Sequence, residues 1–85
     1  MTTITLREPL STAEGVISTV TLRRPKVKDL KQVDAARAEG GDMQAGIAMV
    51  AAITGLSVEV VDEMDAADFT TISEALADFF QPARP

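Results

Sequence analysis

At Pro25 the spacing of the apolar residues changes from that of strands to that of helices. Before it, Ile4, Leu6, Val16, Val20 and Leu22 stand among threonines, and β-branched and apolar residues in such runs favour a pleated, half-buried surface. Ser11, Thr12, Glu14 and Gly15 lie between the runs as turn material. The pattern predicts a β-hairpin with Thr3–Arg7 facing Val16–Arg23. Ile4-Thr5-Leu6-Arg7-Glu8-Pro9 is echoed by Val20-Thr21-Leu22-Arg23-Arg24-Pro25, and each strand is expected to end before its proline, which has no N–H for a ladder bond.

After Pro25 the period is three to four. Val27, Leu30, Val33 and Ala36 or Arg37 fall on one face of a helix over Val27–Ala38, which Gly40-Gly41 should end. The carboxylate of Asp42 suits the N-cap of a second helix carrying Met43, Ile47, Val50 and Ala51 or Thr54 on one stripe. Gly46 within it costs about 1 kcal/mol relative to Ala, so either another element packs closely there, the favoured reading, or the helix is locally weak. Gly55 is placed as a left-handed C-cap, Ser57 as the cap of a short helix over Val58–Glu63, and Asp65 as the cap of a last helix with Asp68 in its first turn. Phe69, Ile72, Leu76 and Phe79 or Phe80 give that helix the clearest amphipathic stripe in the chain. The expected fold class is therefore α+β: an N-terminal β-hairpin followed by three to four short helices packed on one face, because a two-stranded sheet is marginal without such cover.

Eighty-five residues suffice for a single domain, and a chain of this length buries a modest core. The ordered part is expected over about residues 4–80, with 81–85 as a C-terminal tail. A content of 46% hydrophobic and 25% charged residues is that of a folding chain, unlike the depleted composition of disordered ones. Without Cys there is no disulfide framework. The first residues lack the basic and apolar segments of a signal peptide, and the longest apolar run, Ile47–Ile53, is far shorter than the roughly 20 residues of a membrane-crossing helix. The expected location is the cytoplasm. Charge is uneven: residues 1–38 hold seven Lys or Arg against four Asp or Glu, and residues 39–85 hold one against nine. Such asymmetry suggests a charged partner or self-association through opposite faces, or else simply an acidic solvated helical surface.

The residue inventory argues against catalysis. With no His, Cys, Tyr or Trp, the usual general bases and nucleophile–base pairs are missing. Asp62, Glu63, Asp65 and Asp68 could be read as a hard-cation site, yet they lack the glycine and closing glutamate of a calcium loop, and two abutting helix ends account for them. Gly40-Gly41 is not followed by the Lys-Ser/Thr of a phosphate loop. Arg23, Arg24, Lys26, Lys28 and Lys31 have no interleaved aromatic residues, and a net charge of −5 opposes nucleic-acid binding. No catalytic, cofactor or metal residue is assigned.

The order of elements resembles a known family. An Ile-Thr-Leu strand, a second strand running into Leu22-Arg23-Arg24-Pro25, a Val27-Lys28-Asp29-Leu30 helix start, Ile53-Thr54-Gly55-Leu56-Ser57, Val60 to Asp65 and a closing Leu76-Ala77-Asp78-Phe79-Phe80 are similar to the small tail assembly chaperones of Mu-like and P2-like contractile-tailed phages. Lys26 and Lys28 depart from that pattern, where a small capping residue and Gly are usual, and this weakens the expected cap. The resemblance implies a non-catalytic protein that binds the tape measure protein and keeps it soluble in the host cytoplasm, without entering the mature virion. It also implies a programmed frameshift yielding a longer form, one that would contact the tail tube protein. A structural or adaptor protein of the tail, or an acidic antitoxin-like regulator, is the competing reading.

For a helical client the expected contact is an apolar groove in the helical half with an acidic rim. Adaptable Met43, Met49 and Met64, with Asp62, Glu63 and Asp68, are the candidate partner-binding residues. Core packing is the competing role for each methionine.

Overall fold

The computed structural model describes residues 2–79. Two strands, β1 (Thr2–Thr12) and β2 (Gly15–Leu22), form an antiparallel hairpin, followed by helices α1 (Val27–Thr54), α2 (Val58–Asp62) and α3 (Ala66–Phe79). The α+β hairpin-plus-helices arrangement expected from the period change is what the chain adopts. Phe80 and the 81–85 tail lie outside the described residues.

The strands alternate as the sequence suggests. Leu6, Leu10, Val20 and Leu22 turn inward while Thr3, Thr5, Thr19 and Thr21 face water. The first strand does not stop at Pro9, however. Ile4 pairs with Val20 and Thr5 with Thr19, and the next pairs are Leu10 with Ile17 and Ser11 with Val16, so Leu6-Arg7-Glu8-Pro9 bulges opposite the single residue Ser18. A bulged residue needs no ladder partner, which is why a proline is tolerated there.

The expectation of two helices separated at Gly40-Gly41 is met in a tighter form. Gly41 adopts φ 77°, ψ −164°, a left-handed φ that a side chain would resist, and the helix resumes directly after it, so α1 comprises two helical limbs joined by a sharp turn at Gly41. Its first limb is rolled relative to the expectation. Val27 (70% exposed) and Leu30 (42%) face outward, while Asp29 is buried beside Val33, so the inward face shifts toward Asp29 but keeps Val33. The cause is Asp29. Its carboxylate takes both guanidinium nitrogens of Arg23 at 2.8 Å and the backbone N–H of Lys26 at 2.7 Å. The third helical residue thus supplies the cap that the Lys26 side chain cannot. Arg23 also gives its backbone N–H to the Ile53 carbonyl at 3.3 Å, so one residue at the end of β2 holds both ends of α1. The Arg23 guanidinium and the Lys26 N–H hold the Asp29 carboxyl down at about 2, and the Asp29 carboxylate in turn raises the Arg23 guanidinium above its ordinary value.

The Asp42 carboxylate, expected as an N-cap, instead accepts from Arg37 Nε at 3.1 Å, whereas the caps further along the chain agree with the sequence. Gly55 closes α1 in the left-handed conformation with its N–H on the Ala51 carbonyl. Ser57 caps α2 through the Val60 N–H, and Asp65 caps α3 by accepting from Ala67 and Asp68. Leu22, Val50, Ile53 and Ile72 form the most enclosed part of one core shared by hairpin and helices, each burial contributing roughly 1.5–3 kcal/mol.

Candidate functional site

Helix α3 is the element that separates the inside of the molecule from its candidate site. Ile72 and Leu76 are buried, whereas Phe69 and Phe79, at the two ends of the expected stripe, are only half-buried and pack on the edge of the core. Near the N-terminal end of α3, Phe69 and Ala66 form one wall of an open groove of about 200 Å³, completed by Met43 and Ile47 of α1 and by Val61, Asp62 and Met64 of the α2 region. Gly46 lies beneath Phe69. A methyl group at Gly46 would stand 3.5 Å from the Phe69 ring, an ordinary contact distance, so α3 packs beside Gly46 but leaves room for a side-chain carbon there. The second-limb stripe of α1 therefore divides, with Val50 and Ala51 in the core and Met43 and Ile47 in the groove.

Of the six candidate partner-binding residues, three come together. Met43 is 69% exposed, Met64 is largely enclosed and contributes to the floor, and the Asp62 carboxylate stands at the edge in water. Met49 packs partly buried against the core, and Glu63 is exposed beside the groove without lining it. Asp68 faces away altogether. It is 1% exposed, and its two oxygens accept the backbone N–H groups of Arg7 at 2.8 Å and Glu8 at 3.0 Å. Consecutive amides left free by a bulge form an anion-binding concavity, and the chain fills it with its own carboxylate. Among the described residues no three acidic groups converge as metal ligands would, since Asp68 is directed into the hairpin and Asp65 is engaged at its cap.

A second hollow, of about 450 Å³, opens where the hairpin meets the end of α3 and is lined by Thr2, Leu22, Arg23, Arg24, Lys26 and Phe79. Arg24 lies over the Phe79 ring at 5.8 Å, close enough for a cation–π contact. The two concave surfaces thus have opposite rims, one acidic and one basic. Ile47, Val61, Ala66 and Phe69 were not anticipated as groove residues. Only Phe69 carried a signal, as the first member of a stripe that overruns the core.

A small α+β domain with an open apolar groove suits a binding role, and the family comparison agrees. Residues 3–81 match the model of phage tail assembly chaperone proteins, E, or 41 or 14. The chain belongs to this phage tail assembly chaperone family. No curated protein and no solved structure matches it. Family membership fits the chemistry: tail assembly chaperones are non-catalytic, and the groove offers surface for docking. Among the described residues no helix is long and apolar enough to cross a membrane.

Proposed function

We propose that this tail assembly chaperone binds the tape measure protein and keeps it soluble while the tail is built, acting in the host cytoplasm and remaining outside the finished virion. The observation that carries the reading is the open groove of Met43, Ile47, Met64 and Phe69 beside the Asp62 carboxylate, within a chain of the tail assembly chaperone family. A long helical client exposes apolar stripes before assembly. One such stripe can lay its anchors into an apolar groove, where methionine side chains adapt to differing residues. Co-expression with the tape measure protein of the same phage tests the proposal. The client should stay soluble and co-purify, and Met43→Glu should reduce capture. A client equally insoluble with and without the chaperone, with no co-purification, would sink it. Mass spectrometry of purified virions supplies the second arm, because an adaptor of the tail would be found there and a chaperone would not.

The family resemblance also supports a longer form made by backward slippage at Asp78-Phe79-Phe80, of which Phe80 lies outside the described residues. Leu76 is the last buried residue of α3, so slippage there would leave the core whole and exchange only the C-terminal tail for an extension that would contact the tail tube protein. The codons decide. A run of T-TTT-TTY supports slippage, whereas GAC for Asp78 or TTC for Phe79 rules it out at this site.

A further inference from the structure

The acidic residues of the helical part divide by what they hold. Asp68 accepts from the Arg7 and Glu8 amides, Asp65 caps α3, and Asp42 takes the Arg37 Nε. The carboxylates of Asp62, at the edge of the Met43/Phe69 groove, and of Glu63 beside it take part in no ion pair among the described residues. Glu59 stands one turn earlier, so three exposed acids at i, i+3 and i+4 share one face of α2 and its cap. Like charges at this spacing repel, and the sequence has no Lys or Arg from residue 39 to residue 83 to relieve them. We propose that the groove selects its client by charge. Its occupant is an amphipathic helix with two aliphatic anchors one turn apart and a lysine or arginine on the flank that meets Asp62 and Glu63.

Size, shape and charge each specify this occupant. A cavity of about 150 Å³ takes up a benzene molecule, so a groove of about 200 Å³ receives one or two aliphatic side chains and not a cluster of aromatic ones. Residues four apart on a helix stand on one face, so a helix lying along the cleft between Met43 and Ile47 of α1 and Phe69 of α3 inserts both anchors. Exposed ion pairs add little affinity singly. The apolar floor therefore supplies most of the hold, and the carboxylates decide which helices are accepted. A helix with acidic flanks meets like charge and is rejected. The inference deepens the function proposed above and rests on its premise that the groove docks a helix, but it is read out without the tape measure protein.

Three dye-labelled, alanine-rich helical peptides test it, each with leucines at i and i+4 and differing only in flanking Lys, Gln or Glu. They are titrated with the full chain and followed by fluorescence anisotropy. The Lys peptide should bind about tenfold more tightly than the Glu peptide, with the Gln peptide between them, and the spread should narrow at high salt. The double variant Asp62→Lys/Glu63→Lys should reverse the order. Glu74→Lys/Asp78→Lys, the same charge change at exposed positions of α3 outside the groove, should leave it unchanged. Met43→Ser should weaken all three peptides and preserve their order. If the first double variant melts early, Asp62→Lys alone replaces it. Equal binding of the three peptides, an unreversed order in the Asp62 and Glu63 variant, or no binding of any peptide, as when another segment fills the groove, would overturn the proposal. Charge selection without capture of the tape measure protein would keep this inference and reject that client, and capture without charge selection would do the reverse.

Discussion

Helix α3 turns one face to the hairpin and another to the groove, and two aspartates six residues apart meet opposite fates around it. Asp68 is enclosed with both oxygens on backbone amides, whereas Asp62 stands in water at the groove edge. The difference teaches that burial of a carboxylate here depends on donors that have no other partner. The bulge strips Arg7 and Glu8 of ladder acceptors, and an anion supplied by α3 satisfies them. Among the described residues no buried side-chain nitrogen or oxygen lacks a partner, so the hairpin side is chemically closed. The groove side remains open to other molecules.

Variants on the closed side should therefore cost stability, and those on the open side should cost association instead. The largest effect is expected at Leu76→Ala, where truncating a buried side chain removes about 2–5 kcal/mol. Thermal melting should fall by about 10 °C or more, on a scale of about 4–8 °C per kcal/mol, and a shift of a degree or two would mean that α3 does not close the core. Asp68→Asn comes next, since the amide can accept only one of the two N–H groups and sets its own donor against the other. Losing a hydrogen bond to a charged group costs about 1.5–3 kcal/mol. The same change at Asp62 should move chemical denaturation by no more than about 0.5 kcal/mol, and equal losses at both positions would erase the distinction between the sides.

Acid titration sharpens the comparison through Asp29, the other enclosed carboxylate. Its folded pKa of about 2 lies below the ordinary value, so it adds stability above about pH 4, and that contribution is lost as the pH falls toward 2. Asp29→Asn should be less stable than the parent at neutral pH and should lack this part of the acid limb. Curves that stay parallel from pH 6 to pH 2 would contradict the Arg23 and Lys26 contacts. A modest effect of opposite sign is expected at Gly46→Ala, a gain of up to about 1 kcal/mol in helix propensity. The new methyl would meet Phe69 at an ordinary contact distance of 3.5 Å, so a loss of stability would show that the groove wall cannot accommodate it.

Much of the fold was legible because its signals are local. The cap at Ser57, the αL residue Gly55 and the N-cap at Asp65 each act within four residues of chain, and the period change at Pro25 is visible in any short window. The features that escaped the sequence depend on backbone groups that every residue possesses. Nothing in Arg7-Glu8 announces that their amides await a carboxylate some sixty positions away. The roll of the first limb of α1 was hidden for a related reason, because Val27 and Leu30 look like a core face until the Arg23–Asp29 pair turns them outward. An acid three residues after Lys26 was the available clue, as half of a capping box. The groove was half legible, with Met43, Met64 and Asp62 read as binding residues and its Phe69 wall read as core.

The link between Asp68 and the bulge also orders events in time. The hairpin leaves the ribosome before the helices, yet the acceptor for two of its amides is synthesised sixty residues later. A two-stranded hairpin is marginal by itself, and these two bonds can form only once α3 has been made and a long loop closed, whose entropic cost grows only slowly with length. Residue 68 precedes Asp78-Phe79-Phe80 in the message, so a ribosome that slipped there would already have made everything the domain needs. Both products would then begin with the same finished fold and differ only in the segment that trails behind it.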